Sequence, residues 1–304
     1  MIIILGASGK VGGKLTDLLL ARHEQVTVVG RDRRKFSFAE AKGAVAAVGD
    51  ISSQEFLEKT FQGADAAFVM IPPNFRAEDL REYQNAVGGA IAAALRNTGV
   101  KQVLNLSSQG ADLKEGTGPV LGLRDQEERL NLLPNTKVLH LRPTYFMENL
   151  LMNVDLIRSK GIMGSSIRGD VSFAMIAARD IAAFAADRLV KRDFTGKTMH
   201  DLLGRRDLSL DDAASIIGTA IGRPALRYVT FSYADAEEGM VAMGLSRSVS
   251  RAFVELSRAL NEGRFAVGLE RTEQNTTSTS FEQFVGDIFL PLYRSAEKDQ
   301  GIAA

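Results

Sequence analysis

The chain has 304 residues, of which 45% are hydrophobic and 24% charged, so it can form one large domain or two interleaved ones. Its 37 basic and 37 acidic residues give a formal net charge of zero, and hence no overall field that would draw it to nucleic acid or an anionic membrane. It has no cysteine, which excludes disulfides and thiolate chemistry, and its three histidines lack metal-ligand spacing, so we predict no metal site. The first apolar run breaks at Gly6 and no run reaches the length of a membrane span, so we expect a soluble cytoplasmic protein.

Strand-length apolar runs alternate with helical patterns through the first half of the chain. The predicted strands are Ile2–Leu5, Gln25–Gly30, Ala44–Asp50, Ala64–Pro73, Val100–Ser108 and Lys137–Pro143. The predicted helices between them include Gln54–Phe61 with Ser52 or Ser53 as its cap, Ala77–Asn97 ended by Gly99, and Asp125–Leu133. This alternation predicts an α/β fold, a Rossmann-type doubly wound parallel sheet with right-handed crossovers.

The second half is less regular and predicts a smaller, mostly helical C-terminal substrate lobe over the carboxyl edge of the sheet. The patterns predict a helix over Arg179–Leu189 capped by Asp180, a strand over Gly196–Gly204, a helix from the capping box at Ser209–Asp212 to Ile221, and helices over Ala234–Met243 and Ser248–Asn261. We assign residues 1–150 to the Rossmann domain, with its sheet completed by about 172–203. Residues 151–171 and 204–304 then form the lobe.

A glycine-rich loop separates the first predicted strand from the first helix. A residue without a side chain is favoured in three places: in a tight turn, where the backbone comes close to a pyrophosphate, and where a helix packs on a strand. The helix N-terminus also offers free N–H groups to phosphate oxygens. The pattern G-x-x-G-x-x-G in this context predicts a dinucleotide site, and a tight turn without a ligand is the alternative. The candidate cofactor-binding residues of the loop are Gly6, Ser8, Gly9, Lys10, Val11 and Gly12.

The residues after the second predicted strand indicate which dinucleotide binds. An acidic residue there would hold a free ribose 2′-hydroxyl, but Gly30 takes its place, and Arg31, Arg33 and Arg34 follow. A guanidinium can hold a 2′-phosphate with two hydrogen bonds, so NADP(H) is favoured over NAD(H). Asp32 can cap the next helix or pair with a neighbouring arginine. A solvated surface turn is the alternative for this basic cluster.

Other strand ends add candidates, because ligands of such sheets bind at the carboxyl ends of the strands. Asp50 and Ile51 follow the third strand and are expected near the adenine. Ile71 and Pro72 end the fourth and are expected near the nicotinamide ribose. Ser107, at the end of the fifth strand, is a candidate catalytic donor to a carbonyl oxygen, with a plain strand cap as the alternative.

One catalytic signature is missing from the chain. Short-chain reductases use a Tyr-x-x-x-Lys pair, in which the lysine lowers the tyrosine pKa so that the hydroxyl can deliver a proton. None of the five tyrosines is followed by lysine four residues later. The loss of this general acid argues against ketone reduction and sugar epimerisation.

Five motifs distributed along the chain carry a family resemblance. They read ILGASGKVGGKL, LNLSSQGA, LRPTYFMENLL, ARDIAAFAADRL and GRPALRYV, and they resemble the NmrA-like group of atypical short-chain dehydrogenase/reductases. That group includes NAD(P)H:quinone reductases, azo and triphenylmethane dye reductases, and NADP-sensing regulators without enzyme activity. The resemblance implies that Pro143, Tyr145, Phe146 and Asn149 line the nicotinamide and substrate cleft.

Among these four residues, Pro143 is expected to contact the cofactor, Phe146 and Asn149 the substrate, and Tyr145 is a second catalytic candidate. A hydrophobic seam between the lobes is the alternative for Tyr145 and Phe146. Quinone-reductase relatives often keep a histidine in the helix after the fifth strand, where this chain has Leu123 or Arg124.

Two functions fit this set of residues. The first is an NAD(P)H-dependent reductase that transfers hydride from NADPH to a quinone or a similar conjugated acceptor, whose reduced anion can take its proton from water. The second is a non-catalytic NADP(H)-binding redox sensor that acts on a regulatory protein partner. We expect a small-molecule partner and no nucleic acid or membrane partner, and a homodimer stays open. A sugar-nucleotide epimerase is less favoured, since no acid–base pair is present.

Overall fold

The computed structural model of the chain describes residues 1–265 and 269–301. Its strands are β1 (Ile2–Leu5), β2 (Val26–Gly30), β3 (Val45–Val48), β4 (Ala66–Val69), β5 (Gln102–Leu106), β6 (Lys137–Pro143), β7 (Tyr145–Phe146), β8 (Ile162–Ser165), β9 (Phe173–Ile176), β10 (Lys197–Leu202), β11 (Asp207–Leu208) and β12 (Arg227–Thr230). Its α-helices are α1 (Lys10–Ala21), α2 (Ser37–Glu40), α3 (Gln54–Phe61), α4 (Leu80–Thr98), α5 (Val120–Asn131), α6 (Val154–Lys160), α7 (Ala178–Lys191), α8 (Leu210–Ala220), α9 (Tyr233–Ala242), α10 (Arg247–Asn261), α11 (Phe281–Phe284) and α12 (Leu290–Gly301). Two 3₁₀-helices at Arg33–Phe36 and Met147–Asn153 and a π-helical segment at Val285–Phe289 complete these elements.

Seven strands form one parallel sheet in the order β10-β6-β5-β4-β1-β2-β3. This arrangement confirms the predicted α/β fold with a doubly wound sheet. The chain leaves β1 in one direction towards β2 and β3 and returns to β4 on the other side, so the direction of winding changes between β1 and β4. In such sheets the crevice outside the carboxyl ends of the strands at this point is where ligands bind.

Helices bury both faces of the main sheet. Along β1, Ile2 and Ile4 face a core that α1 and α7 cover, whereas Ile3 and Leu5 face the core beneath α3, α4 and α5. All four side chains are fully buried. This two-sided burial explains why the strand sequences are continuous apolar runs rather than alternating ones.

The ends of several elements differ from the sequence-based prediction. The strand predicted over Ala64–Pro73 is shorter, and β4 ends at Val69 because the two prolines that follow cannot donate to a strand ladder. α5 begins five residues before Asp125, at Val120. The caps of α3 and α4 are confirmed: the Ser53 hydroxyl accepts from the N–H of Phe56, and Gly99 adopts a left-handed conformation at φ 68°.

The smaller lobe contains short strands that the sequence analysis missed. β7, β9 and β11 form a three-stranded sheet, and β8 and β12 a parallel pair. These strands have two to four residues, too few for a hydrophobic period to be read. β9 lies in the range 172–203 that was expected to complete the main sheet, but it pairs with β7 and β11 instead, whereas β10 joins the main sheet.

The start of α7 is held by a residue other than the predicted one. The prediction that Asp180 caps this helix is wrong: the helix begins at Ala178, whose N–H donates to the Glu148 carboxylate at 3.0 and 3.1 Å. Asp180 instead accepts hydrogen bonds from the N–H and the hydroxyl of Thr279, at 3.1 and 2.7 Å. The acidic residue thus joins α7 to the segment before α11, a contact 99 positions apart that no local pattern records.

Candidate dinucleotide-binding site

The glycine loop between β1 and α1 is built by close backbone contacts. Gly6 has φ 73°, a left-handed conformation that favours glycine, and its carbonyl oxygen accepts a hydrogen bond from the N–H of Gly9 at 2.9 Å. A Cβ on Gly12 would lie 2.3 Å from the Gly6 oxygen. The first turn of α1 can therefore rest on the end of β1 only because position 12 has no side chain.

The N-terminus of α1 is open to an anion. Gly9 is its N-cap, no side chain caps it, and its first turn holds no acidic residue. The first N–H groups of a helix have no intrahelical acceptor, so those of Lys10, Val11 and Gly12 and the positive end of the helix dipole are available to phosphate oxygens. Ser8 and Gly9 are exposed beside them. A side-chain-free cradle at an uncapped helix end fits a pyrophosphate.

The Lys10 side chain contacts the segment that follows β7. Its Nζ donates to the backbone oxygen of Glu148 at 3.1 Å. Burial lowers the pKa of Lys10, and the nearby Glu148 carboxylate opposes this shift. The lysine therefore joins the phosphate loop to the segment that follows β7.

The basic cluster after β2 divides into paired and unpaired arginines. Arg33 forms an ion pair with Glu40 at 2.8 Å and Arg34 one with Asp32 at 2.9 Å. Asp32 also accepts from the N–H of Arg34 at 3.1 Å, so both roles considered for it are observed. Arg31 has no ion-pair partner among residues 1–265 and 269–301. Of the three arginines it is the one that remains available to a ligand phosphate.

Arg31 lies at the end of the sheet where an adenosine is expected. The Ser52 N–H hydrogen bond, aided by the Arg31 charge, lowers the pKa of Asp50. Burial raises the pKa of Tyr83, and Arg31 opposes that shift. The Tyr83 hydroxyl donates to the Pro72 oxygen at 3.0 Å. The structure thus brings the candidates after β2, β3 and β4 to one edge.

The ends of β1 and β4 meet at the point where the winding changes. A Cβ on Gly6 would lie 2.7 Å from the sulfur of Met70, the residue that follows β4. Ile71 is buried next to it, whereas Ile51, after β3, is partly exposed. Gly6, Ile71 and Pro72 therefore border the same crevice.

Beneath the end of β5 lies a buried ion pair that sequence reasoning missed. The Arg142 guanidinium donates through Nε and Nη2 to both oxygens of Glu127, at 2.9 and 2.6 Å. Burial is the largest influence on the pKa of Glu127 and would raise it, but the hydrogen bonds and charge of Arg142 and the contact with Ser107 together outweigh it and lower that pKa. The pair joins α5 to β6 one residue before Pro143. Nothing local in the sequence marks it, because the partners are 15 residues apart on different elements.

Ser107 faces this ion pair. Its side chain is buried and its Oγ makes no hydrogen bond of normal length and angle to any residue that the structure describes. It nevertheless lies near enough to the Glu127 carboxylate to help lower the pKa of that group. This buried hydroxyl without a regular partner remains a candidate donor to a ligand oxygen.

His140 completes the polar layer beneath α5. Its Nε2 lies 3.0 Å from Asn131 Oδ1 and its Nδ1 3.2 Å from Asn105 Nδ2. Because Asn131 can only accept through that atom, Nε2 carries the proton and Nδ1 accepts. Burial lowers the pKa of His140 to about 4, so the ring is neutral at pH 7. It is a structural hydrogen-bonding group.

Tyr145 and Phe146 point to different parts of the molecule. Tyr145 packs on Phe173 with ring centroids 5.1 Å apart in the core of the lobe, whereas Phe146 packs on the core between the main sheet, α1 and α7. Burial raises the pKa of Tyr145, and its hydrogen bond with the exposed Asn149 opposes the shift only in part. The tyrosine hydroxyl is therefore protonated at neutral pH. The contacts of both rings match the seam between the lobes that was the alternative for them.

An apolar cavity of about 160 Å³ adjoins the crevice at the end of β4. It is lined by residues 71–75 after β4, Leu80 and Gln84 of α4, Pro119 and Leu123 of the next helical segment, and Val249 and Phe253 of α10. Apart from Ile71 and Pro72, the sequence analysis named none of these as site residues. An open depression of about 370 Å³ on the outer side of α10 has several charged side chains in its lining and includes no predicted site residue.

Two observations limit the chemistry of the described part of the chain. No group of three or more histidine, aspartate or glutamate side chains in it is arranged to hold a metal ion. None of the helices it contains is long and apolar enough to cross a membrane.

The chain is similar to several proteins over most of its length. It is 30% identical over 258 residues to the NAD(P)H azoreductase of Xenophilus azovorans, covering 84% of this chain and 86% of that protein. The Escherichia coli NADPH-dependent quinone oxidoreductase, solved in complex with NADPH, has the same fold with a TM-score of 0.78 and 20% identity, covering 95% of this chain and 100% of that one. The triphenylmethane reductase of Citrobacter sp., complexed with NADP(H), gives a TM-score of 0.78 at 18% identity, covering 94% and 98%.

The family assignment rests on the region that holds the crevice. Residues 6–189, which run from the first glycine of the loop into the last turn of α7, match the family described as NAD(P)H-binding. This range includes the glycine loop, the basic cluster and the LRPTYFMEN segment on which the resemblance depended. The chain therefore belongs to the NAD(P)H-binding family, in agreement with the NmrA-like resemblance of its motifs.

Proposed function

We propose that the protein is an NADPH-dependent oxidoreductase that transfers hydride to a quinone or a similar conjugated acceptor. The observation that carries this proposal is the uncapped N-terminus of α1 packed on Gly6 through Gly12, with the unpaired Arg31 at the next strand end. The azoreductase activity in the name of the Xenophilus relative and the quinone oxidoreductase activity in that of the Escherichia coli protein support the acceptor class.

Each strand end has a role in holding the dinucleotide. The N–H groups of the loop and of the first turn of α1 bind the pyrophosphate, and Arg31 binds the 2′-phosphate. Asp50 and Ile51 border the adenine side, whereas Ile71, Pro72 and Pro143 border the nicotinamide riboside. Arg33 and Arg34 contribute little to phosphate binding, since the charge of each is already balanced by an acid.

The chain itself supplies little acid catalysis. The bound cofactor supplies the hydride, and one proton must also reach the acceptor, so that a quinone becomes a hydroquinone. Ser107 Oγ donates a hydrogen bond to the acceptor oxygen, and water supplies the proton. Tyr145 is protonated and packs on Phe173 in the core of the lobe, so it does not act as a base. A reduced quinone anion accepts a proton from water readily, which makes the missing Tyr-x-x-x-Lys pair tolerable.

The direct test is to follow NADPH oxidation in the presence of a panel of quinones. We expect turnover with at least one of them. Binding of NADPH without turnover of any acceptor would contradict the proposal and favour the redox sensor, which must then discriminate between NADP⁺ and NADPH.

Replacing Arg31 with alanine should raise the dissociation constant of NADPH by about tenfold or more, since a hydrogen bond to a charged group is worth about 1.5–3 kcal/mol. The dissociation constant of NADH should change less than about twofold, because NADH has no 2′-phosphate. Calorimetric titration of both cofactors measures these values. Arg34→Ala is the matched control, since this exposed side chain is already engaged by Asp32. A larger loss of NADPH affinity in Arg34→Ala than in Arg31→Ala would overturn the assignment.

A further inference from the structure

We propose that the apolar cavity beside β4 binds one uncharged six-membered ring of the acceptor, in preference to fused-ring and anionic acceptors. This inference rests on the proposed function and defines the substrate class more narrowly. It is carried by the position, size and lining of the cavity.

The cavity shares a wall with the proposed cofactor crevice. Ile71 and Pro72, the expected neighbours of the nicotinamide ribose, also line the cavity. On its far side stands Leu123, one helical turn before Glu127, which lies near Ser107. A ring in the cavity therefore lies between the end of β4 and the helix that bears the polar layer.

The volume of the cavity corresponds to a single ring. It measures about 160 Å³. An apolar protein cavity of about 150 Å³ is known to stay dry and to bind benzene. A second fused ring would extend beyond this space, towards the side on which Phe75 is 45% exposed.

The lining of the cavity is free of charge. Its amide side chains are already used inside the protein: Gln84 Nε2 donates to the Pro119 oxygen at 2.9 Å, and Asn74 Oδ1 accepts from the Arg76 N–H at 3.1 Å. No charged side chain lines it. A sulfonate or carboxylate placed here would lose hydration without gaining a charged partner.

Two aromatic side chains form the wall that faces α10. The rings of Phe75 and Phe253 have centroids 6.3 Å apart and are tilted by 34°, a geometry that leaves a face and an edge for a third ring. Hydrogen bonds hold this wall in place: the Ser248 hydroxyl accepts from the Leu80 N–H at 3.0 Å, and the Ser246 N–H donates to the Phe75 oxygen at 2.8 Å. These two contacts hold the first turn of α10 against the start of α4 and the segment after β4.

The experiment compares acceptors in the wild-type protein and two variants. Phe253→Ala enlarges the cavity and Leu123→Trp fills it, whereas Phe38→Ala, an exposed residue on α2, is the matched control. We measure kcat/KM for 1,4-benzoquinone, 1,4-naphthoquinone and 1,4-naphthoquinone-2-sulfonate with NADPH. The ratio of kcat/KM for benzoquinone to kcat/KM for naphthoquinone should fall about tenfold in Phe253→Ala. Comparing the same two acceptors in both proteins removes the effect of their different reduction potentials.

Leu123→Trp should raise KM for benzoquinone about tenfold while the dissociation constant of NADPH changes less than about twofold. The sulfonated quinone should remain the poorest substrate in every variant. Phe38→Ala should behave like the wild type. If both cavity variants turn over all quinones as the wild type does, the cavity proposal is wrong although the reductase proposal stands.

Binding of toluene, measured by calorimetry, separates this proposal from the reductase proposal. Toluene is a single uncharged ring, and its binding needs no turnover. We expect toluene to bind the wild type but not Leu123→Trp, and we expect benzenesulfonate not to bind. Toluene binding without quinone reduction would leave the ring site in place and refute the reductase. If neither toluene nor benzoquinone binds, the ring site is refuted, whatever the fate of NADPH.

Discussion

Replacing Arg142 with methionine should lower the free energy of unfolding by about 3–5 kcal/mol, because it leaves the buried Glu127 carboxylate without its partner. The guanidinium holds both oxygens of that carboxylate, and both side chains are less than 10% exposed. Burial raises the pKa of Asp201, and the charge of Arg142 opposes that shift. Removing Arg142 therefore takes a favourable charge away from a second carboxylate. Urea unfolding followed by circular dichroism measures the change.

The matched control is Arg168→Met, which breaks a two-point ion pair with Asp170 at the surface, where both side chains are more than half exposed. That change should cost less than about 1 kcal/mol. The double variant Glu127→Leu/Arg142→Met should recover most of the stability, since replacing both partners of a buried pair by apolar groups is often neutral. A loss in Arg142→Met no larger than in the surface control would contradict the importance of the buried pair.

The same variant should reverse the contribution of Glu127 to the pH dependence of stability. In the wild type the folded state lowers the pKa of Glu127, so the carboxylate contributes stability above its ordinary pKa of about 4.3 that is lost as the pH falls. Without Arg142, burial raises the pKa of that group, and the variant loses stability as the pH rises through that range. The difference between the two proteins should therefore shrink as the pH is lowered towards 4. A difference independent of pH would exclude Glu127 as its source.

Replacing Gly12 with alanine should weaken NADPH binding by at least about tenfold and destabilise the fold by about 1–3 kcal/mol, the typical cost of an overpacked contact. The new Cβ would lie 2.3 Å from the Gly6 oxygen and 2.7 Å from its carbonyl carbon, both backbone atoms that cannot rotate away. α1 must then move away from the glycine loop, which the first N–H groups of the helix complete. Calorimetry with NADPH and urea unfolding measure the two effects.

Gly89→Ala in α4 is the matched control for this change. A Cβ there meets no atom within 4 Å, so it should be neutral or stabilise the helix by up to about 1 kcal/mol. NADPH affinity should stay at the wild-type value in this control. If Gly12→Ala binds NADPH as tightly as Gly89→Ala does, the loop is not the pyrophosphate site.

The sequence by itself determined the main sheet and the phosphate loop. The period of apolar residues along β1 or α4 reflects which side chains are buried, and that information lies within one element. The glycine spacing likewise reflects contacts inside twelve consecutive residues. Both are local, so they can be read without knowing which distant segments meet.

Only the tertiary structure decided how the strand ends become a site. It shows that Arg33 and Arg34 are held by acids whereas Arg31 is not, and that Glu127 and Arg142 meet beneath Ser107. It also brings α10 against the start of α4, where Ser248 and Leu80 form a hydrogen bond across 168 positions beside the cavity. These contacts join residues far apart in the chain, and their energies depend on burial and geometry that no local pattern contains.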